Sequence, residues 1–427
     1  MHTDLFSRWA LVATALLAAV TLARAEPPGA GAEAPAGSVV AIGGALRADN
    51  DAVWQRLVDL AGGAGARYVV FGTASRNPAR AAAQAVDALV RRGAVAEALV
   101  LGAPTGATPG SARDPALVQR VLAADGVYFT GGAQARITAA LLDEGGRSTP
   151  VLDAIWQVVR RGGVVAGSSA GAAIMSSTMF RDAPVVLDAL KSGLRDGIEI
   201  DRGLGFVGPD VFVDQHFLKR GRFGRMLPLM VQKHYRLGVG VDENTAAVFR
   251  RGTVEVVGAR GVLVVDLTDA RNDPKLGAFN LRNARLSYLE RGDRYDLATR
   301  HTSPAPEKLR EPPIDPNAPD FKPYYTREMF QTDMLGDTTV AKVMTTLIDH
   351  RQRELVGLAF GGPSSARPEL GFEFRFRKGP QSLGHYTSAL GSEEYTVTDI
   401  LLDVTPVQIS QPLYRPLRAA SAAEPSP

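Results

Sequence analysis

The stretch RRGGVVAGSSAGAAIMSSTMF, residues 160–180, decides how this sequence is interpreted. Its apolar run at 163–166 is typical of a buried strand, and small helix-forming residues follow directly after two serines. Glycines on both sides of Ser168 and Ser169 allow a sharp turn between the strand and the helix. Two interpretations follow: a tight strand-to-helix crossover, or a nucleophile elbow that holds Ser169 at the top of a sheet.

The N-terminal half around this stretch alternates between short apolar runs and segments with helical spacing. Continuous apolar strands that alternate with helices indicate a parallel sheet covered on both faces. The sequence therefore predicts an α/β fold with a mainly parallel, doubly wound sheet. The predicted strands are 38–44, 66–75, 96–104, 126–132 and 164–167, and the predicted helices are 50–62, 78–93, 112–125, 134–143 and 150–163.

Composition excludes several classes of protein. The 427 residues are 45% hydrophobic and 22% charged, which is ordinary for a globular protein with a substantial core. The formal charge is only +3 and no basic block is present, so nucleic acid is not a predicted partner. The absence of cysteine rules out disulfides, thiol catalysis and a lipid-anchored cysteine.

The N-terminus carries a predicted export signal. Residues 1–25 hold a short apolar run that ends in Ala23-Arg24-Ala25, which is typical of a signal-peptide cleavage site. The alternative is an uncleaved anchor, but the run is shorter than the ~20 residues a spanning helix needs. We therefore expect a periplasmic or extracellular protein without membrane contact after cleavage, with residues 26–37 as a flexible leader.

Strand ends supply the remaining candidates for a serine hydrolase. The backbone N–H groups of Gly132 and Ala170, each near the start of a helix, are predicted to form an oxyanion hole. His216 follows a β run at 211–213 and is the candidate base, whereas His234 fits better as a charge near a helix C-terminus. Glu243, in a strand–turn–strand segment, is predicted to orient His216. These groups are expected at strand ends of one sheet.

Four motifs carry a family resemblance: FTGGAQ at 129–134, AGSSAGAA at 166–173, DQHFLKRGRFGRML at 214–227 and GVGVDENTA at 238–246. With these motifs, residues 38–301 resemble the cyanophycinases, serine peptidases related to the aspartyl dipeptidase peptidase E. The resemblance implies a fold like class I glutamine amidotransferases, which is flavodoxin-like. It also implies Ser169 as nucleophile, His216 as base and Glu243 as acid. No metal or nucleotide cofactor is expected, because the His, Asp and Glu residues lack metal-ligand spacing and GGALRADND, residues 43–51, is a poor phosphate loop.

The resemblance further implies a substrate. Cyanophycinases cut cyanophycin, a poly-aspartate with arginine on each β-carboxyl, into β-Asp-Arg dipeptides. Arg222 is the favoured partner for a substrate carboxylate, because alternate residues of an R-x-R-x-x-R run cannot all face inward. Ala133 departs from the polar residue usual in the family. The alternatives are an exported aspartyl dipeptidase that acts on short peptides and a non-catalytic binding protein on the same scaffold. The full set of predicted substrate-binding residues is Gln134, Gln215, Arg220, Arg222, Arg225 and Asn244.

The C-terminal third is less informative. The catalytic domain is predicted to span 38–301, followed by a Pro-rich linker at 302–324 and a small α+β extension at 325–427. The sequence leaves open whether this extension packs on the main domain, contributes to a homodimer or contacts polymer granules.

Overall fold

The computed structural model describes residues 36–102, 110–182 and 184–417. The predicted signal peptide at 1–25 and nearly all of the predicted leader at 26–37 lie outside these ranges. Within them, no helix combines the length and the apolarity needed to cross a bilayer.

The elements are numbered in chain order. The strands are β1 (Ser38–Ile42), β2 (Arg67–Phe71), β3 (Val95–Leu99), β4 (Gly126–Phe129), β5 (Val164–Ser168), β6 (Thr178–Phe180), β7 (Ile200–Arg202), β8 (Val211–Gln215), β9 (Leu237–Val241), β10 (Thr245–Arg250), β11 (Thr253–Gly258), β12 (Val262–Asp266), β13 (Leu281–Leu289), β14 (Arg294–Asp296), β15 (Thr302–Ser303), β16 (Phe330–Gln331), β17 (Glu354–Ala359), β18 (Leu370–Thr387) and β19 (Glu394–Gln408). The α-helices are α1 (Asp51–Leu60), α2 (Pro78–Val90), α3 (Pro115–Leu122), α4 (Gln134–Leu141), α5 (Pro150–Arg160), α6 (Ala170–Ala173), α7 (Val186–Ser192), α8 (Phe223–Lys233) and α9 (Thr339–Ile348).

Helices of the N-terminal half begin where the sequence offers a cap. The side chains of Asn50 and Asn77 accept hydrogen bonds from the first-turn N–H groups of α1 and α2, and Thr149 does so for α5. Proline occupies the first turn of α2 and α5, where its missing N–H has no intrahelical partner to lose. Because of these local signals, the helices alternate along the chain with the strands of the first sheet.

The first sheet has nine strands in the order β15-β14-β11-β10-β1-β5-β4-β2-β3. The five strands from β1 to β3 in this order are mutually parallel, and β10, β11, β14 and β15 add antiparallel pairs. Alternate residues of the parallel strands enter two cores: one face packs on α1 and α2, the other on α3 and α5.

The second sheet has eight strands in the order β16-β17-β18-β19-β13-β12-β9-β8. Only its two end pairs, β8 with β9 and β16 with β17, are parallel. One face shares the core that contains α3 and α5 of the first sheet, and the other face packs on α8 and α9. In the described residues, β6 and β7 form a third, two-stranded antiparallel sheet. The α/β class is confirmed, but the mainly parallel arrangement describes only part of the first sheet, and both large sheets are mixed.

The C-terminal third departs from its predicted organisation. The long strands β18 and β19 join β13, so residues after 325 complete a sheet that begins in the catalytic part of the chain. The predicted linker at 302–324 is packed as well: the fully buried ammonium of Lys308 contacts Asp293 at 2.8 Å and the Thr396 hydroxyl at 3.1 Å. A proline-rich composition favours a linker, but this long-range ion pair fixes the segment against the second sheet.

Candidate active site

The two sheets meet at the end of β1, and the candidate site lies there. The His216 N–H donates to the Gly43 carbonyl at 2.7 Å, which ties the end of β8 to the end of β1. The Asn244 N–H donates to the Gly44 carbonyl at 2.8 Å. The chain passes from β9 in the second sheet to β10 in the first through a three-residue turn formed by Asp242, Glu243 and Asn244.

Ser169 follows β5 in the first sheet and precedes α6. Its backbone is left-handed, with φ of 55°, a conformation that costs a non-glycine residue about 1–3 kcal/mol and is common at functional sites. The Ser169 N–H donates to the Ile42 carbonyl at 2.9 Å, and Gly167 leaves room for the carbonyl of Gly171. Of the two interpretations of residues 160–180, the geometry favours the elbow, because a strained serine projects from the turn.

His216 lies between Ser169 and Glu243. Its Nε2 is 2.8 Å from the Ser169 Oγ and its Nδ1 is 2.6 Å from the Glu243 Oε1. A carboxylate only accepts, so Nδ1 carries the proton and donates it to Glu243, which leaves Nε2 to accept from the serine hydroxyl. The structure thus brings the three predicted residues into one hydrogen-bonded chain, but joins them across two sheets rather than at the strand ends of one.

The imidazole of His216 is buried, and its pKa is lowered from the ordinary histidine value. Burial is the main cause, because it disfavours the charged ring. The hydrogen bond to Glu243 opposes this effect, whereas the positive charges of Arg220 and Arg222 lower the pKa further. At neutral pH the ring is therefore neutral, as a general base requires.

The predicted oxyanion donors lie in a glycine turn and at a helix start beside the serine. A Cβ on Gly131 would lie 3.2 Å from the Ser169 Cβ, and Gly132 has φ of +146° with its Cα against the Ala74 carbonyl. Among the described residues, neither the Gly132 N–H nor the Ala170 N–H donates a hydrogen bond. Both donors are thus available to a negatively charged oxygen.

Arg225 does not face the site. Its guanidinium binds both carboxylate oxygens of Asp214, at 2.6 and 2.8 Å, and stacks 4.0 Å from the ring centroid of Phe180. Both members of this ion pair are almost completely buried. Arg225, predicted to bind substrate, instead has a structural role, since its hydrogen-bonding edge is occupied.

Arg222 and Arg220 differ in exposure. The buried Arg222 donates to the Gln215 carbonyl at 2.7 Å, and burial lowers its pKa to about 10. Arg220 has a side chain that is 52% exposed, and its Nη2 lies 3.8 Å from the Glu243 Oε1. Of the three arginines, Arg220 is the most exposed, and it lies beside the triad acid, whereas Arg222 is buried.

The amide side chains of the predicted set also separate. The Gln134 side-chain amide donates to the Phe180 carbonyl at 2.6 Å, and the side-chain Oδ1 of Asn244 accepts from the Arg47 N–H and from the Asn50 side chain. The nitrogen of the Gln134 amide and the oxygen of the Asn244 amide are thus each bonded to another segment of the protein. By contrast, the Oε1 of Gln215 is buried and has no partner among the described residues. That oxygen can accept a hydrogen bond from a substrate N–H.

Three residues of the site were missed at the sequence level. A Cβ on Gly44 would lie 2.3 Å from the His216 Nε2, so the base needs a glycine there. The Asp214 carboxylate forms ion pairs with Arg222 and Arg225. Thr130, directly before the glycine turn at 131–132, carries a buried hydroxyl without a partner among the described residues. Thr130 and Asp214 lie in the quoted motifs, and Gly44 is one of the two glycines after β1. Their roles could not be inferred there, because the contacts that define these roles are made with segments far away in the sequence.

Comparison with known proteins places this geometry in a family. A sequence model of peptidase family S51 matches residues 39–257, just over half of the chain, including all three residues of the hydrogen-bonded chain. The cyanophycinase of Trichormus variabilis is 39% identical over 194 residues, which are 44% of this chain and 62% of that protein. The chain thus spans less than two thirds of this relative.

The cyanophycinase of Geminocystis herdmanii is 33% identical over 270 residues, 61% of this chain and 94% of that protein. Among solved structures, a peptidase from an acI-B1 Actinobacterium is 21% identical, with a TM-score of 0.44 over 62% of this chain and 98% of that chain. The family match and the sequence relatives confirm the resemblance found in the four motifs. The chain belongs to peptidase family S51, a family of serine-type peptidases.

Proposed function

We propose that this chain is an exported serine-type exopeptidase that hydrolyses cyanophycin to β-Asp-Arg dipeptides through an acyl-enzyme. The observation that supports it best is the continuous hydrogen-bonded chain from the Ser169 hydroxyl through His216 to Glu243. The relatives named cyanophycinase support the choice of substrate.

The first half of the reaction forms the acyl-enzyme. His216 Nε2 takes the Ser169 proton as the Oγ attacks the scissile carbonyl carbon, and Glu243 stabilises the resulting imidazolium. The N–H groups of Gly132 and Ala170 donate to the carbonyl oxygen as it becomes negative. The C–N bond then breaks, and His216 passes its proton to the leaving amine.

The second half releases the product. A water molecule loses a proton to His216 Nε2 and attacks the acyl carbon, which forms a second tetrahedral intermediate. Collapse of that intermediate breaks the ester bond, and His216 returns the proton to the Ser169 Oγ. The strained backbone of Ser169 and His216 holds both side chains ready throughout this cycle.

Two groups near the triad are assigned to substrate recognition: the half-exposed guanidinium of Arg220 and the unpaired Oε1 of Gln215. Arg220 offers its half-exposed guanidinium to a substrate carboxylate, since its contact with the Glu243 Oε1 is long, at 3.8 Å, whereas Arg225 is held in a buried pair with Asp214 at 2.6 Å. Gln215 Oε1 accepts an amide or guanidinium N–H, which removes the cost of a buried unpaired oxygen. Such a pair suits a polymer that carries carboxylates and arginine side chains together.

The test is incubation of the purified mature chain with insoluble cyanophycin, with soluble products identified by mass spectrometry. We expect β-Asp-Arg as the main product with the wild-type protein and none with Ser169→Ala. Cleavage of short aspartyl peptides without release from the polymer would instead favour an aspartyl dipeptidase. Binding to the polymer without any hydrolysis would contradict the proposal.

A further inference from the structure

A segment of the C-terminal extension touches the loop that carries the catalytic base. We call residues 335–338 the brace segment and residues 216–225 the base loop. The Thr338 N–H donates to the Leu218 carbonyl at 3.0 Å, and the Asp337 carboxylate pairs with the Lys219 ammonium. A Cβ on Gly221 would lie 2.0 Å from the Leu335 carbonyl oxygen. The two segments are therefore in direct backbone contact.

The brace segment is itself firmly held. Met334, directly before it, is fully buried, and its N–H donates to the Leu358 carbonyl of β17 at 2.9 Å. Helix α9 begins directly after it and places Val340 and Met344 in the core of the second sheet. Because both of its ends are anchored in this core, the brace segment presents a fixed surface to the base loop.

Arg220 lies between Lys219 and Gly221, the two residues of the base loop that contact the brace segment. Lys219 on one side binds Asp337, and Gly221 on the other side packs against Leu335 with φ of +58°. The Lys219 N–H also donates to the Asp242 carboxylate at 3.0 Å, next to Glu243 in the chain. The path of the backbone at Arg220 is thus set from both sides, although its own side chain is half exposed.

We propose that the brace segment is a positioning element of the active site, which fixes the base loop so that Arg220 points at the substrate carboxylate. It lies outside residues 39–257, the region matched by the family model, so this part of the site is supplied by the C-terminal extension. The inference rests on the proposed function only in giving Arg220 a carboxylate to bind. A merely structural role would lower stability without changing selectivity.

The experiment compares two serine-directed fluorophosphonates that are identical except that one carries a carboxylate. Their second-order rates of Ser169 labelling give a ratio that reports recognition of the carboxylate, while the neutral reagent reports the state of the triad. The test variants are Asp337→Asn, Lys219→Met, their double variant and Gly221→Ala. The ratio is measured on the full mature chain. The two reagents replace the substrate, so the experiment does not need the polymer.

Matched controls come from other parts of the described chain. Asp196→Asn removes another lysine–aspartate pair, in which Asp196 contacts the Lys233 ammonium at 2.6 Å. Gly277→Ala adds a methyl group at φ of +61°, close to that of Gly221, but with no atom within 4 Å to collide with. Each control thus reproduces the chemistry of one test variant without the contact to the base loop.

We expect the wild-type chain to prefer the carboxylate reagent and the controls to keep that preference. Asp337→Asn should lower the ratio by about fivefold, as for loss of one positioned charge contact, with the neutral rate within about twofold of wild type. Lys219→Met should have the same effect, and the double variant should add nothing further, because the two residues act as a pair. Gly221→Ala should lower the ratio at least as much.

The inference is overturned if the wild-type chain shows no preference for the carboxylate. It is also overturned if test variants and controls share one ratio, or if both labelling rates fall by the same factor. Failure of the proposed function gives a different set of results. The wild-type chain would still prefer the carboxylate reagent and Asp337→Asn would lose that preference, but the wild-type chain would release no dipeptides from cyanophycin.

Discussion

The Cα of Gly44 faces the imidazole of His216 so closely that a methyl group built there would lie 2.3 Å from Nε2. Gly44 ends the turn after β1 in the first sheet, whereas His216 ends β8 in the second. The base is thus held in place by a glycine 172 positions earlier in the chain, at the point where the two sheets are hydrogen-bonded.

Gly44→Ala should reduce the rate of Ser169 labelling by a neutral fluorophosphonate by about 10²-fold or more, since a misplacement of the base by about 1 Å costs that much. The ring has to move away from the serine to make room for the methyl group. Gly62→Ala is the control, because Gly62 has φ of +112°, near the +102° of Gly44, but has no atom within 4 Å. Equal labelling rates in both variants would contradict the assigned contact.

Ser169→Ala should lower hydrolysis by about 10³-fold or more, the scale of losing a nucleophile, while the melting temperature changes little. Mass spectrometry of the labelled wild-type chain should place the fluorophosphonate on Ser169. Ser168→Ala, the neighbouring serine, serves as control and should still be labelled. Retention of a tenth of the activity in Ser169→Ala would show that another nucleophile acts.

Glu243→Gln should lower kcat by about 10²–10⁴-fold, because the amide no longer fixes the proton on His216 Nδ1 or stabilises the imidazolium. His234→Ala is the control, since His234 is exposed and forms the C-terminal cap of α8. The measurement is single-turnover kinetics on a short aspartyl-arginine peptide. A loss in His234→Ala as large as that in Glu243→Gln would mean that the base is misassigned.

The labelling rate should fall as pH decreases through the pKa of His216, because only the neutral ring accepts the serine proton. Burial lowers that pKa, so the midpoint should lie below 6.5. Arg220→Gln removes a positive charge that contributes to the lowering and should move the midpoint upward. Arg80→Gln, at an exposed position in α2, should leave it unchanged. A midpoint above 6.5 in the wild-type chain, or no shift in Arg220→Gln, would oppose this account.

Arg225→Met should lower the free energy of unfolding by about 3–5 kcal/mol, because it leaves the Asp214 carboxylate buried without its main partner. Arg220→Met should leave the melting temperature nearly unchanged, since its side chain is half exposed. Thermal unfolding followed by circular dichroism measures both. An unchanged melting temperature in Arg225→Met, with weaker substrate binding, would restore Arg225 to the substrate site.

Local chemistry made part of this molecule predictable from its sequence. Apolar runs and caps such as Asn50 and Thr149 act within a few residues, so the N-terminal strands and helices lie close to their predicted positions. The same holds for the elbow at Ser169, because neighbouring glycines provide its turn. Candidate groups for nucleophile, base and acid could therefore be named from short motifs.

The sequence by itself determined the α/β class, the family and the identity of Ser169, His216 and Glu243 as candidates, since each depends on short contiguous patterns. Only the tertiary structure decided that the triad joins two mixed sheets, that Arg225 is buried against Asp214 while Arg220 is exposed, and that the C-terminal residues brace the base loop. The physical reason is that strand pairing, burial of charge and contact between loops are set by segments far apart in sequence. No local propensity encodes such contacts.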